Sequence, residues 1–190
     1  MLKEPPGRVR FLSGGEVDEL LNACPHYLKS IVIIALNTGM RRSEILTLKW
    51  SDIDFKRKTI TLMKTKNNEI REIPINNVLY KELRKIPLHI RSNYVFCNRR
   101  GEPFQKVQKG FQSALKRAGI EDFRFHDLRH TFASYLVMSG VYIRTVQQYL
   151  GHKKIEMTMR YSHLSPSHLE QGVNRLRFGT FLAQSKSSSV

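Results

Sequence analysis

The sequence predicts an α+β domain, mostly helical, with one small antiparallel sheet inserted after the first helices. Apolar residues recur at helical spacing along most of the chain, and the period changes to two only between Lys58 and Ile75. A length of 190 residues is enough for one substantial core or two small ones.

The elements follow in order. The first ten residues, with Pro5, Pro6 and Gly7, read as an extended lead-in. Ser13 and Glu16 have the spacing of a capping box, opening a helix that carries Val17, Leu20 and Leu21. Leu28 to Leu36 is apolar almost all round, as expected of a helix buried in a core, and Gly39 marks its stop. A further helix carries Ile45 and Leu48. After Trp50 the segments Lys58–Met63 and Ile70–Ile75 alternate around the polar run Lys64-Thr-Lys-Asn-Asn68, which reads as a β-hairpin. Helical patterns return at about 77–86, 105–118, 127–139, 142–150, 154–160 and 166–178. Residues 11–182 form the expected domain, and the polar stretch 183–190 reads as a disordered tail.

Composition narrows the function. Hydrophobic residues at 41% and charged residues at 25% are ordinary for a globular chain, but 32 Lys and Arg against 16 Asp and Glu leave a formal +16. A surface this basic attracts polyanions, nucleic acid first, with a solubilising surface or an anionic membrane as the bland alternatives. The N-terminal residues contain no apolar signal-like run, and Ile31–Leu36, the longest apolar stretch, is too short to span a bilayer. Two cysteines, Cys24 and Cys97, imply no disulfide framework and fit a reducing cytoplasmic compartment.

Four islands could carry chemistry. In Thr38-Gly-Met-Arg-Arg-Ser-Glu44 a turn feeds a helix, so Arg41 sits near free N–H groups where phosphate binds, and Glu44 is placed to pair with it. Taken alone, that pair is more often a surface ion pair. Lys64 and Lys66 at the hairpin turn are either solvated charges that protect an edge or groups that reach a DNA groove. In His126-Asp-Leu-Arg-His130 a helix would bring His126 and Arg129 to one face, with His130 close by. A metal site from the two histidines lacks a third ligand and a zincin-type Glu, so a cationic pair aimed at a phosphate suits the basic chain better. The last island is Leu150-Gly-His152, followed nine residues later by Tyr161 among Lys153, Lys154 and Arg160. A lone tyrosine is usually a half-buried aromatic, yet basic surroundings are what a phenol needs to act as a nucleophile.

Together the islands are specific. The series Arg41, Lys66, His126-x-x-Arg129, His152, Tyr161 resembles the active-site set of the tyrosine recombinases, the phage-integrase family. TGMRRSE is similar to the family's first arginine box, HDLRHTFAS to its His-x-x-Arg box, and LGH with RYSHL to its last histidine and nucleophile. The likeness covers about residues 11–165, and all six positions match. It implies the tyrosine-recombinase catalytic fold. It also implies cleavage and rejoining of double-stranded DNA through a 3′-phosphotyrosine, with no ATP, metal ion or other cofactor. By this resemblance Arg41 and Arg129 clamp the scissile phosphate, His152 adds a hydrogen bond to it, and Tyr161 attacks. His126 assists proton transfer at the nucleophile. Lys66, which lies eight residues before Pro74, is the general acid in preference to Lys64. Glu44 and His130 support the arginines and the helix.

The resemblance also implies a phage- or bacteria-encoded protein working at the nucleoid, self-association into a tetramer on DNA, and no membrane partner. The family's N-terminal DNA-clamping domain is expected to be absent, since the catalytic pattern begins within the first twenty residues. Leu169, Val173 and Leu176 form an apolar stripe that either packs on its own domain or docks on a neighbour. Two rivals are a type IB topoisomerase, which relaxes supercoils by the same chemistry, and a non-catalytic DNA-binding module, which has no need of all six residues.

Overall fold

The computed structural model describes residues 10–64 and 69–166. The extended lead-in, Lys66 with its turn, the expected 166–178 helix and the polar tail therefore lie outside the described residues, apart from the residues at their edges.

Helix α1, Gly14–Ala23, begins where its signature places it. The Ser13 side chain accepts from the Glu16 amide, and the Glu16 carboxylate accepts from the Ser13 amide at 2.8 Å. Arg10 closes on the same carboxylate. Helix α2, His26–Thr38, buries Leu28, Ile31, Val32, Ile34 and Ala35, and Gly39 ends it at φ 60°. A Cβ on Gly39 would lie 2.4 Å from Cδ1 of Phe132, so this position requires glycine for its left-handed backbone and for the close approach of the Phe132 ring.

Helix α3 is short, Arg42–Leu46. Leu48, expected inside it, lies beyond its end and is buried on an extended stretch whose carbonyl accepts from the Val95 amide. The sheet has three antiparallel strands in the order β1 (Ile53–Asp54), β2 (Thr59–Lys64), β3 (Glu69–Pro74). The expected hairpin is β2–β3, paired in register with Ile60 opposite Ile73, both buried. The two-residue β1 was not anticipated.

Helix α4, Asn77–Lys85, is capped by the Asn76 side chain, which accepts from the Leu79 amide at 2.8 Å. A long irregular connection leads to α5, Gln108–Arg117. Then come α6 (Asp127–Met138), α7 (Ile143–Leu150) and the single-turn α8 (Glu156–Met159), with a 3₁₀ turn at Ser162–Leu164. The main core gathers α1 to α6 and the inner face of the sheet. A second cluster, Ala133, Val137, Val146, Leu150 and Tyr161, joins α6 and α7 to the turn after α8. Among the described residues no helix is long and apolar enough to cross a membrane.

Candidate active site

The ends of α2 and α7, the starts of α3 and α6, and the segment around α8 converge on one basic cluster. Arg41 is the residue that caps α3, with its side chain 40% exposed. Glu44 anchors it: the carboxylate accepts from the Arg41 amide at 2.7 Å and from Arg41 Nη1 at 3.0 Å. Its second ion pair, to Nη2 of Arg71 at 2.8 Å, was not foreseen. Burial works to raise the Glu44 carboxyl, but Arg71 and Arg41 outweigh it and hold the group below the ordinary carboxylate range.

Arg129, in the first turn of α6, is buried. Its Nη1 donates to the Gly39 carbonyl at 2.5 Å and its Nη2 to the Leu150 carbonyl. Both acceptors are C-terminal, at the ends of α2 and α7, where carbonyls lack intrahelical partners and the helix dipole is negative. Two helix ends therefore hold one guanidinium. Burial and the neighbouring Arg41 and Arg71 bring its pKa down to about 10, which leaves it cationic at neutral pH.

His152 follows the left-handed Gly151 that closes α7. Its Nδ1 lies 2.9 Å from the hydroxyl of Thr158, a fully buried residue of α8. Burial, then Arg129 and Arg41, push His152 down to about 4, so its ring is neutral at pH 7.

The hydroxyl of Tyr161 lies 2.5 Å from Nδ1 of His130. His126, expected to help the nucleophile, instead stands edge-on to His130 at a ring distance of 5.2 Å. His130, expected only to support the helix, is the residue in contact. Burial, then His126, lower His130 to about 4, so it is a neutral imidazole. With Nδ1 unprotonated the phenol donates, and His130 is placed to take its proton; with Nδ1 protonated the ring donates to the phenolic oxygen. Tyr161 itself is 1% exposed. Its basic neighbours do not lower its pKa on balance: burial raises it to about 12 against the opposing pull of Arg160 and Arg129.

The structure thus brings together Arg41, Glu44, His126, Arg129, His130, His152 and Tyr161, while Lys66 lies outside the described residues. Arg71 and Thr158 were missed. Arg71 had a readable signal, since it is in phase with the buried Ile73 of β3 and with the buried Ile75 just beyond the strand. Among the described residues no group of three or more His, Cys, Asp or Glu is gathered as for a metal ion.

Comparison with known proteins agrees with this fold. The profile of the phage integrase family matches residues 10–168. The integrase of Salmonella phage P22 is 39% identical over 189 residues, covering 91% of this chain and 49% of that protein. Tyrosine recombinase XerC of Staphylococcus carnosus is 34% identical over 155 residues, covering 76% of this chain and 52% of that protein. The chain therefore spans about half the length of these curated relatives. The solved catalytic domain of bacteriophage HP1 integrase superposes with a TM-score of 0.73 at 36% identity, covering 91% of this chain and 98% of that one. By sequence profile and by fold, the chain belongs to the phage integrase family.

Proposed function

We propose that this domain cuts and rejoins double-stranded DNA as the catalytic part of a site-specific recombinase, through a 3′-phosphotyrosine on Tyr161. The observation that carries this reading is the convergence of two arginines and His152 beside a tyrosine already hydrogen-bonded to a neutral histidine. Arg41 and Arg129 bind the two non-bridging oxygens of the scissile phosphate, whose charge grows in the transition state, and His152 adds a hydrogen bond. Tyr161 oxygen forms a bond to phosphorus while the bond from phosphorus to the 5′ oxygen breaks. The phenol proton passes to the histidine pair, His130 in contact and His126 behind it. Lys66 supplies a proton to the departing oxygen, which becomes a 5′ hydroxyl. The phosphodiester energy stays in the protein–DNA bond, so rejoining to another 5′ hydroxyl requires no ATP. The arginine pair supplies the positive charge that a metal ion would otherwise bring.

Exchange between two duplexes breaks both strands of each, so it needs four active sites and hence four copies of the domain on DNA. The formal +16 supports phosphate-backbone binding.

The test uses a pool of nicked duplexes, randomised on both sides of the nick, that trap the cleaved strand. The native chain should give a covalent adduct stable to detergent, and Tyr161→Phe none. An adduct that survives Tyr161→Phe, or none from the native chain on any member of the pool, would overturn the proposal. Relaxation of plasmids of arbitrary sequence by the monomer would favour a topoisomerase instead.

A further inference from the structure

We infer that Arg71 is a positioning residue that fixes the spacing between the two phosphate-binding arginines. The inference rests on the function proposed above. Arg71 lies on β3, on the face it shares with Ile73, and is 8% exposed. A buried arginine in a hydrophobic sheet face carries a desolvation cost that its partners must offset, and these partners are specific. Nη2 donates to the Glu44 carboxylate at 2.8 Å, and Nη1 donates to the Leu150 carbonyl at 2.8 Å. Glu44 holds Arg41 through its amide and its guanidinium. The Leu150 carbonyl also accepts from Arg129. One planar guanidinium therefore bridges the group that orients the first arginine and the group that orients the second.

The fork matters more than the charge. An ammonium is a point donor on a flexible stem and cannot span both acceptors with fixed geometry. The neighbouring backbone is shaped to this fork: a Cβ on Gly151 would lie 2.8 Å from Arg71 Nη1. The hydrogen bonds of Arg71 go to Glu44 and Leu150, not to Arg41 or Arg129. Its effect on a phosphate would pass through Glu44 and the end of α7.

Arg71→Lys and Arg71→Met test this in single-turnover cleavage of a nicked duplex that the native chain cleaves. Both variants should keep the native circular-dichroism spectrum and bind the duplex within about threefold, while cleavage falls by about 100-fold, the scale of a 1 Å misplacement. The discriminating readout is the substrate. With a methylphosphonate at the scissile position one charged oxygen is gone and the two-arginine clamp is less demanding, so the deficit should shrink to about threefold. With a 5′-bridging sulfur, which leaves without a proton, the deficit should persist.

An equal deficit on phosphate and methylphosphonate would make Arg71 a residue of the fold alone and overturn the assignment, as would an Arg71→Lys chain that does not fold. Rescue by the bridging sulfur would place its effect on leaving-group protonation, overturning it as well. Absence of any adduct from the native chain would sink the underlying reading and this assignment with it. A native chain that cleaves, beside Arg71 variants that cleave equally well, would sink the assignment alone.

Discussion

Replacing His130 by Gln separates hydrogen bonding to Tyr161 from removal of its proton. Glutamine can still meet the phenol but cannot accept the proton at neutral pH. Tyr161 needs such help more than an exposed tyrosine would, because burial raises it to about 12. Relative to an ordinary phenol near 10, that shift lowers the phenolate population about 100-fold at neutral pH, a burden of about 3 kcal/mol. His130, held near 4, is largely unprotonated above about pH 5, so its Nδ1 is free to accept a proton throughout the physiological range. Single-turnover cleavage by the native chain should therefore rise as pH passes through about 4 and stay flat near neutrality. In His130→Gln cleavage should fall by about 100- to 10,000-fold at pH 7. The residual rate should climb about tenfold per pH unit between pH 7 and 10, as hydroxide replaces the lost base. A His130→Gln chain that cleaves within threefold of native with a flat profile would refute the reasoning. So would transfer of that steep profile to His126→Gln alone.

Three further outcomes follow from described contacts. Thr158→Val removes the partner of His152 Nδ1 and should slow cleavage about tenfold, the loss of one hydrogen bond, whereas Thr158→Ser should retain the rate; the nicked-duplex assay reads both. Gly39→Ala meets both a positive φ and the Phe132 ring, so urea denaturation should show a loss of at least about 2 kcal/mol. His130 and His152 have folded pKa values near 4 against an ordinary 6.5, so the unfolded chain binds more protons in that window. The stability they allow is present above about pH 6.5 and lost as pH falls towards 4. Thermal melts should show a falling Tm there, less steeply in His130→Gln.

Much of the fold was legible because local physics decided it. The Ser13–Glu16 box, the glycine stop of α2 and the alternation of β2 and β3 are short-range signals, and each stands where expected. Strand β1 is two residues long and has no periodicity of its own; it exists because β2 offers an edge to Ile53 and Asp54. Leu48 has helical spacing from Ile45 but is buried by pairing with a segment 47 residues away, which no local window contains. The site divides in the same way. Its residue types were readable from their motifs, but which ring meets Tyr161 depends on a contact across 31 residues. His126 and His130 differ by about one helical turn, so sequence spacing alone cannot say which reaches the hydroxyl.

The carbonyls that hold Arg129 belong to Gly39 and Leu150, and a main-chain acceptor cannot be deleted by changing a side chain. At Leu150 the acceptor therefore survives a change of side chain, at Gly39 the left-handed backbone and the Phe132 ring allow none, and both anchors are vulnerable to changes in chain length. Removing one residue from α7 would rotate the Leu150 carbonyl by about 100° around the helix axis and detach Arg129 and Arg71 together. In this domain, descent through point mutation can vary the exposed positions of α2 and α7, whereas their residue count between the core contacts and their last carbonyls is a fixed quantity.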